Sequence, residues 1–119
     1  MSKLTTARTL SIAALMLLVG AAKPLAAAGQ DDAVKKGEQV YTAQKCQTCH
    51  SIAGKGAKAN PLDGVGKKLS AEEIRAWIVT PTEMTKKSGS TKKPPMPAKY
   101  GKLPAADIDA LVAYMSSLK

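Results

Sequence analysis

Apolar residues recur at helical spacing in three stretches of this chain, and each stretch predicts a short amphipathic helix. The first starts near Asp31 or Asp32, whose carboxylates can accept hydrogen bonds from the free amides of the opening turn, and runs to about Ala43. Val34, Gly37 and Tyr41 share one of its faces. The second opens on Ser70-Ala71-Glu72-Glu73, a capping box in which the side chains of Ser70 and Glu73 each accept from the other's backbone amide, and it ends before Pro81. Ile74, Trp77 and Ile78 form its apolar face, while Glu72, Glu73 and Arg75 stay in water. The third begins at Pro104, a residue well tolerated at the first helical position, and carries the most regular stripe: Ile108, Leu111, Val112, Met115 and Leu118.

Between the helices the pattern breaks. Ser51 to Gly66 holds too many glycines for a stable helix and reads as loop. Met84 to Leu103 contains Pro94, Pro95 and Pro97 among several lysines and reads as an extended surface loop. A loop of that length either is a linker or wraps a bound group. No repeat and no further boundary interrupts residues 29–119, so the elements predict one small all-α domain of short helices and loops.

Residues 1–28 have a different character. Lys3 and Arg8 charge the start, Leu10 to Ala22 is almost wholly apolar, and Leu25-Ala26-Ala27-Ala28 supplies the small residues a signal peptidase needs. The predicted reading is a signal peptide cleaved after Ala28, which sends the domain to the periplasm. The alternative is an uncleaved anchor that tethers it to the membrane, facing the periplasm. A spanning helix wants about 20 apolar residues, and this run is shorter and breaks at Pro24.

Composition adds a constraint on the core. The chain has 119 residues but no Phe, one Trp and three Tyr, so its apolar side chains offer little area to offset chain entropy. Something other than side chains must fill the interior. Charge adds a constraint on partners. With Lys3, Arg8 and Lys23 of the leader set aside, 15 of the 18 basic residues remain against 9 acidic ones, a net +6. Nucleic acid is an unsuitable partner, because the basic residues are not interleaved with stacking aromatics and the chain is read as exported.

Both cysteines and the one histidine stand together in Cys46-Gln47-Thr48-Cys49-His50. A disulfide across two residues closes too small a loop to stabilise a fold much. Thioredoxin-like redox chemistry expects a βαβ pattern, which the predicted elements lack, and a structural zinc needs more ligands than two Cys and one His. A c-type haem uses the spacing in full: two thiols form thioethers with its vinyl groups, and the imidazole stands beneath its iron. The chemistry predicted here is therefore one covalently attached haem c, with Cys46 and Cys49 as the thioether residues and His50 on the iron.

Taken with its flanking elements, the motif resembles the class I cytochromes c over nearly all of residues 29–119. That family has an N-terminal helix running into Cys-x-x-Cys-His, a Pro-Leu loop, a middle helix with Trp, a Met-Pro loop and a C-terminal helix. The corresponding segments are Val34 to His50, Pro61-Leu62, Leu69 to Val79, Pro94-Pro95-Met96-Pro97 and Pro104 to Leu118. The resemblance implies a second axial ligand from a methionine, for which Met96 fits by its proline frame and Met84 is the alternative. It implies that the carbonyl of Pro61 accepts from the proximal imidazole and that Trp77 contacts a haem propionate. It also implies a close crossing of the first and last helices at Gly37, Tyr41 and Tyr114.

With both axial positions filled, no site remains for a small-molecule substrate, and the expected activity is single-electron transfer between Fe(II) and Fe(III) rather than catalysis. Thioether ligation favours the ferrous state and implies a positive potential. Lysines such as Lys45, Lys58, Lys86, Lys92 and Lys99 lie in segments that would surround the haem edge, so the expected partners are redox proteins with acidic docking surfaces. The main reading is a monomeric periplasmic carrier. The alternative is an electron-accepting haem subunit of a periplasmic dehydrogenase complex, for example one oxidising sulfite.

Overall fold

The computed structural model describes residues 25–119, with side chains from Gly29 onward. Five α-helices run through this part of the chain: α1 Leu25–Ala43, α2 Val65–Lys68, α3 Ala71–Val79, α4 Pro81–Ser88 and α5 Ala105–Ser117. A 3-10 turn at Cys46–Thr48 and another at Ala98–Lys102 join them, together with a small antiparallel hairpin of β1 Ser51–Ile52 and β2 Lys55–Gly56. The domain is accordingly mostly helical, of the all-α class, with two short strands. The predicted leader lies mainly in residues 1–24, outside the described part, and residues 25–28 form the opening of α1. Among the described residues no helix is long and apolar enough to cross a membrane.

The core forms where α1 crosses α5. Val40 and Tyr41 from α1 are buried with Ile108, Leu111, Val112 and Met115 from α5, and α3 closes the cluster with Ile74 and Ile78. The crossing depends on Gly37, since a Cβ there would collide with the Ala110 carbonyl and with Tyr114 Cβ. Tyr41 then meets Tyr114 edge to face, with ring centroids 5.8 Å apart at 69°. Exposed ion pairs rim the core: Lys36 with Asp107 at 3.0 Å, and Arg75 with Asp109. Such pairs orient the helices more than they stabilise them.

The capping box of α3 forms as its sequence predicts, with Glu73 N donating to Ser70 Oγ at 3.2 Å and Ser70 N to Glu73 Oε2 at 2.9 Å. Three boundaries differ from the sequence reading. α1 begins several residues before Asp31, because nothing in Leu25 to Gln30 opposes a helix strongly enough to stop it. The 51–66 loop contains the hairpin and the single turn of α2.

The largest difference is α4, which occupies the first part of what reads as an extended loop. Pro81 sits at its first position and is fully buried, Glu83 lies in its first turn and Lys86 and Lys87 in its last, each sign suited to the helix dipole. Gly89, at φ 66°, ends it in a Schellman motif: Ser90 N donates to Thr85 O at 3.1 Å and Gly89 N to Lys86 O at 3.3 Å. Only residues beyond Gly89 are extended, up to the turn at Ala98.

Candidate functional site

Lys45 turns the chain out of α1 in a left-handed conformation, φ 56°, and the next residues wind into a single tight turn. Cys49 N and His50 N both donate to Cys46 O, at 3.1 and 3.0 Å. One turn thus carries two thiols and an imidazole. Both thiols are free; Cys46 and His50 are half-buried and Cys49 is exposed. Burial pushes the Cys46 thiol up, against a main-chain hydrogen bond and the weaker pull of Lys99 in the other direction.

The hairpin supports this turn from below. Ala57 N donates to Gln47 O at 3.0 Å and to His50 O at 3.1 Å. Gly56, at φ 105°, lies so close to the His50 carbonyl that any Cβ would displace it. His50 Nδ1 stands 3.1 Å from the carbonyl oxygen of Asn60. A carbonyl only accepts, so Nδ1 carries a proton, and in the neutral ring this tautomer leaves the Nε2 lone pair for a metal.

That carbonyl belongs to Asn60 and not, as the resemblance implies, to Pro61. The cause is the register of the short parallel bridge between Ser51 and Pro61: Ser51 N donates to Asn60 O at 3.3 Å and Leu62 N to Ser51 O at 2.8 Å. The pairing turns the Asn60 carbonyl toward the segment that bears His50. Pro61 itself is exposed and holds the preceding residue extended.

Apolar side chains of the loops complete the surroundings. Leu62, Val65, Leu69, Met96, Tyr100 and Leu103 pack on the core, yet each keeps part of its surface uncovered. Met96 belongs to this set, whereas Met84 sits half-buried on α4 outside it. Trp77 is half-buried on α3. Lys92 Nζ donates to Ala59 O at 3.1 Å, which fastens the Met96 loop to the loop that carries Asn60. Two free thiols beside an imidazole with an open Nε2, and an incompletely covered apolar margin, are what a large flat iron macrocycle with two vinyl groups requires.

Residues 34–119 match the family model described as Cytochrome c. The chain belongs to the cytochrome c family. It is 34% identical to cytochrome c-555 of Methylococcus capsulatus over 114 residues, which cover 95% of this chain and 84% of that one. It is 32% identical to cytochrome c oxidase subunit 2 of Alkalihalophilus pseudofirmus over 93 residues, 71% of this chain but only 25% of that longer protein. No solved structure matches the chain. As a family member it carries a covalently attached haem c, to which the Cys46-x-x-Cys49-His50 motif is fitted, and it transfers electrons with redox protein partners. The sequence reading passed over two residues of this site. Asn60 was visible only as a turn former before proline, and Gly56 only as one glycine among several.

Proposed function

We propose that the chain is a freely diffusing periplasmic shuttle for single electrons, with the iron of its haem held between His50 Nε2 and Met96 Sδ. The observation that carries this reading is the His50 Nδ1 bond to Asn60 O, which selects the Nδ1–H tautomer of the neutral ring and so turns the Nε2 lone pair to a metal, on the same turn as both free thiols. When bound, the haem supplies a one-electron Fe(II)/Fe(III) couple. Of the protein's own residues, Asn60 fixes the imidazole, and the partly buried Leu62, Leu69 and Tyr100 would shield the group from water. Trp77, half-buried on α3, is the donor proposed for a haem propionate.

The whole-length similarity to cytochrome c-555 supports a self-standing carrier. Export follows from the reading of residues 1–28 as a cleaved signal peptide. A second reading, a fixed electron-relaying haem subunit, draws on the match to part of a cytochrome c oxidase subunit; a dehydrogenase complex is the other host in which such a subunit would serve.

Docking is proposed to use exposed lysines, among them Lys45, Lys58, Lys86 and Lys99, against acidic surfaces of the partners. The test is stopped-flow oxidation of the purified haem protein by an acidic redox partner. A shuttle gives second-order rates that fall at least about tenfold between low and physiological salt, and it elutes as a monomer. Rates indifferent to salt, or co-elution with a catalytic chain through a stable interface, would show the fixed-subunit reading to be the right one.

A further inference from the structure

Asn60 holds His50 from three directions. Its main-chain carbonyl faces His50 Nδ1 at 3.1 Å and accepts from Ser51 N at 3.3 Å, while its side-chain Nδ2 donates to Cys49 O at 3.2 Å. The residues on either side of His50 are therefore tied to the residue that also holds its ring. The middle of the loop from Ser51 to Asn60 is tied to the same turn by Ala57 N, which donates to Gln47 O and His50 O. The side-chain bond adds a tie at the loop's far end, where the carbonyl that faces the ring is carried.

We propose that the Asn60 side chain is a positioning residue for the proximal imidazole, setting how strongly Nδ1–H is hydrogen-bonded and thereby how much electron density Nε2 presents. The proposal rests on His50 being the iron's ligand. A firmly bonded Nδ1–H gives the ring more anionic character, which favours the ferric state. Loosening the bond shifts the balance toward the ferrous state and raises the reduction potential. The tie is specific to an amide at this position: alanine removes the donor and leaves the main-chain carbonyl in place, whereas aspartate would set a carboxylate against the Cys49 carbonyl.

The experiment uses the haem-loaded protein with three substitutions: Asn60→Ala, Asn60→Asp and, as a control, Lys92→Met. Lys92 is bonded to Ala59 O, so its replacement loosens the same loop without touching the tie to Cys49. Two quantities are measured: the potential, and solvent exchange of the His50 Nδ1 proton in the reduced protein by NMR. Asn60→Ala is expected to speed exchange about tenfold, as for the loss of one neutral hydrogen bond, and to raise the potential. Asn60→Asp is expected to speed exchange further, and Lys92→Met to change neither quantity appreciably.

Unchanged exchange and potential in Asn60→Ala would overturn the proposal, and so would equal changes in Lys92→Met. The ligand reading is checked separately in the parent protein. If His50 is on the iron, its ring resonances in the oxidised form are displaced far outside the normal range; if they are not, that reading fails, whatever the variants do.

Discussion

Tyr41 shows how a single residue links the core to the site. Its ring is buried against Tyr114, yet its hydroxyl has no hydrogen-bond partner among the described residues. A buried hydroxyl left unpaired costs about 1–3 kcal/mol, so removing it should not weaken the fold. Tyr41→Phe is expected to keep or raise stability by up to about 1 kcal/mol in denaturant unfolding at neutral pH. A loss of similar size would mean that the hydroxyl has a partner.

Alkaline pH separates the two proteins further. The Tyr41 phenol is pushed up to about 12, foremost by burial and then by neighbours including Cys46 and Tyr114, against 10.0 for the free group. Because the unfolded chain releases this proton first, its stabilising contribution is complete below pH 10 and is lost as pH rises toward about 12. The phenylalanine variant lacks that term, so its advantage over the parent should grow between pH 10 and pH 12. A constant difference across that window would place Tyr41 in a more polar setting.

At the scale of elements, the α1–α5 crossing carries the fold, and Gly37 is its closest point. Gly37→Ala would favour the isolated helix by about 1 kcal/mol but forces a methyl into the Ala110 carbonyl. Backbone cannot yield as a flexible side chain does, so the net expectation is a loss of about 3 kcal/mol or more in thermal or denaturant unfolding. A stabilised variant would show that the helices can move apart freely. The elements also show what was legible beforehand. Periodic stripes and the Ser70 capping box located α3 and α5; Tyr41, Ile74, Ile78 and the α5 stripe from Ile108 to Met115 enter the core as read, whereas Val34 and Trp77 of the predicted faces lie outside that cluster and Val40 takes part in it unread.

α4 escaped because its sequence, Pro81 to Ser88, has no apolar stripe: only Pro81 is buried, and its helix is specified by end signals alone. Those signals, Pro81, Glu83, Lys86-Lys87 and Gly89, lay in the sequence, but the prolines downstream drew the whole stretch into one loop. The site was legible in its chemistry and less so in its supports. Cys46, Cys49 and His50 are adjacent in sequence, so spacing reveals them. The Asn60 carbonyl could not be read, because the pairing of Ser51 with Pro61 that aims it is a contact between distant main-chain atoms.

Across the whole molecule the interior is small. The helices bury one cluster around Tyr41, Ile74 and Leu111, and the loop residues Leu62, Leu69, Met96 and Tyr100 remain partly uncovered at its margin. Hydrogen bonds of Lys92 to Ala59 O and of Lys119 to Gly66 O draw the loops in, but these lie at the surface and add little. Haem bound against that margin would complete the interior, and binding it is expected to dominate stability. A haem-free double variant, Cys46→Ser with Cys49→Ser, should lose its cooperative thermal transition and most of its helical circular dichroism. Retention of a native-like transition would show that the helices alone suffice.

The central claim is that one turn and one loop methionine hold the iron between them, and optical spectroscopy tests it most directly. The measurement is the long-wavelength sulfur-to-iron absorption band of the oxidised haem protein in the parent, in Met96→Ala and in Met84→Ala. The band should be present in the parent, retained in Met84→Ala and absent from Met96→Ala. Its survival in Met96→Ala, or its loss in Met84→Ala alone, would contradict the account.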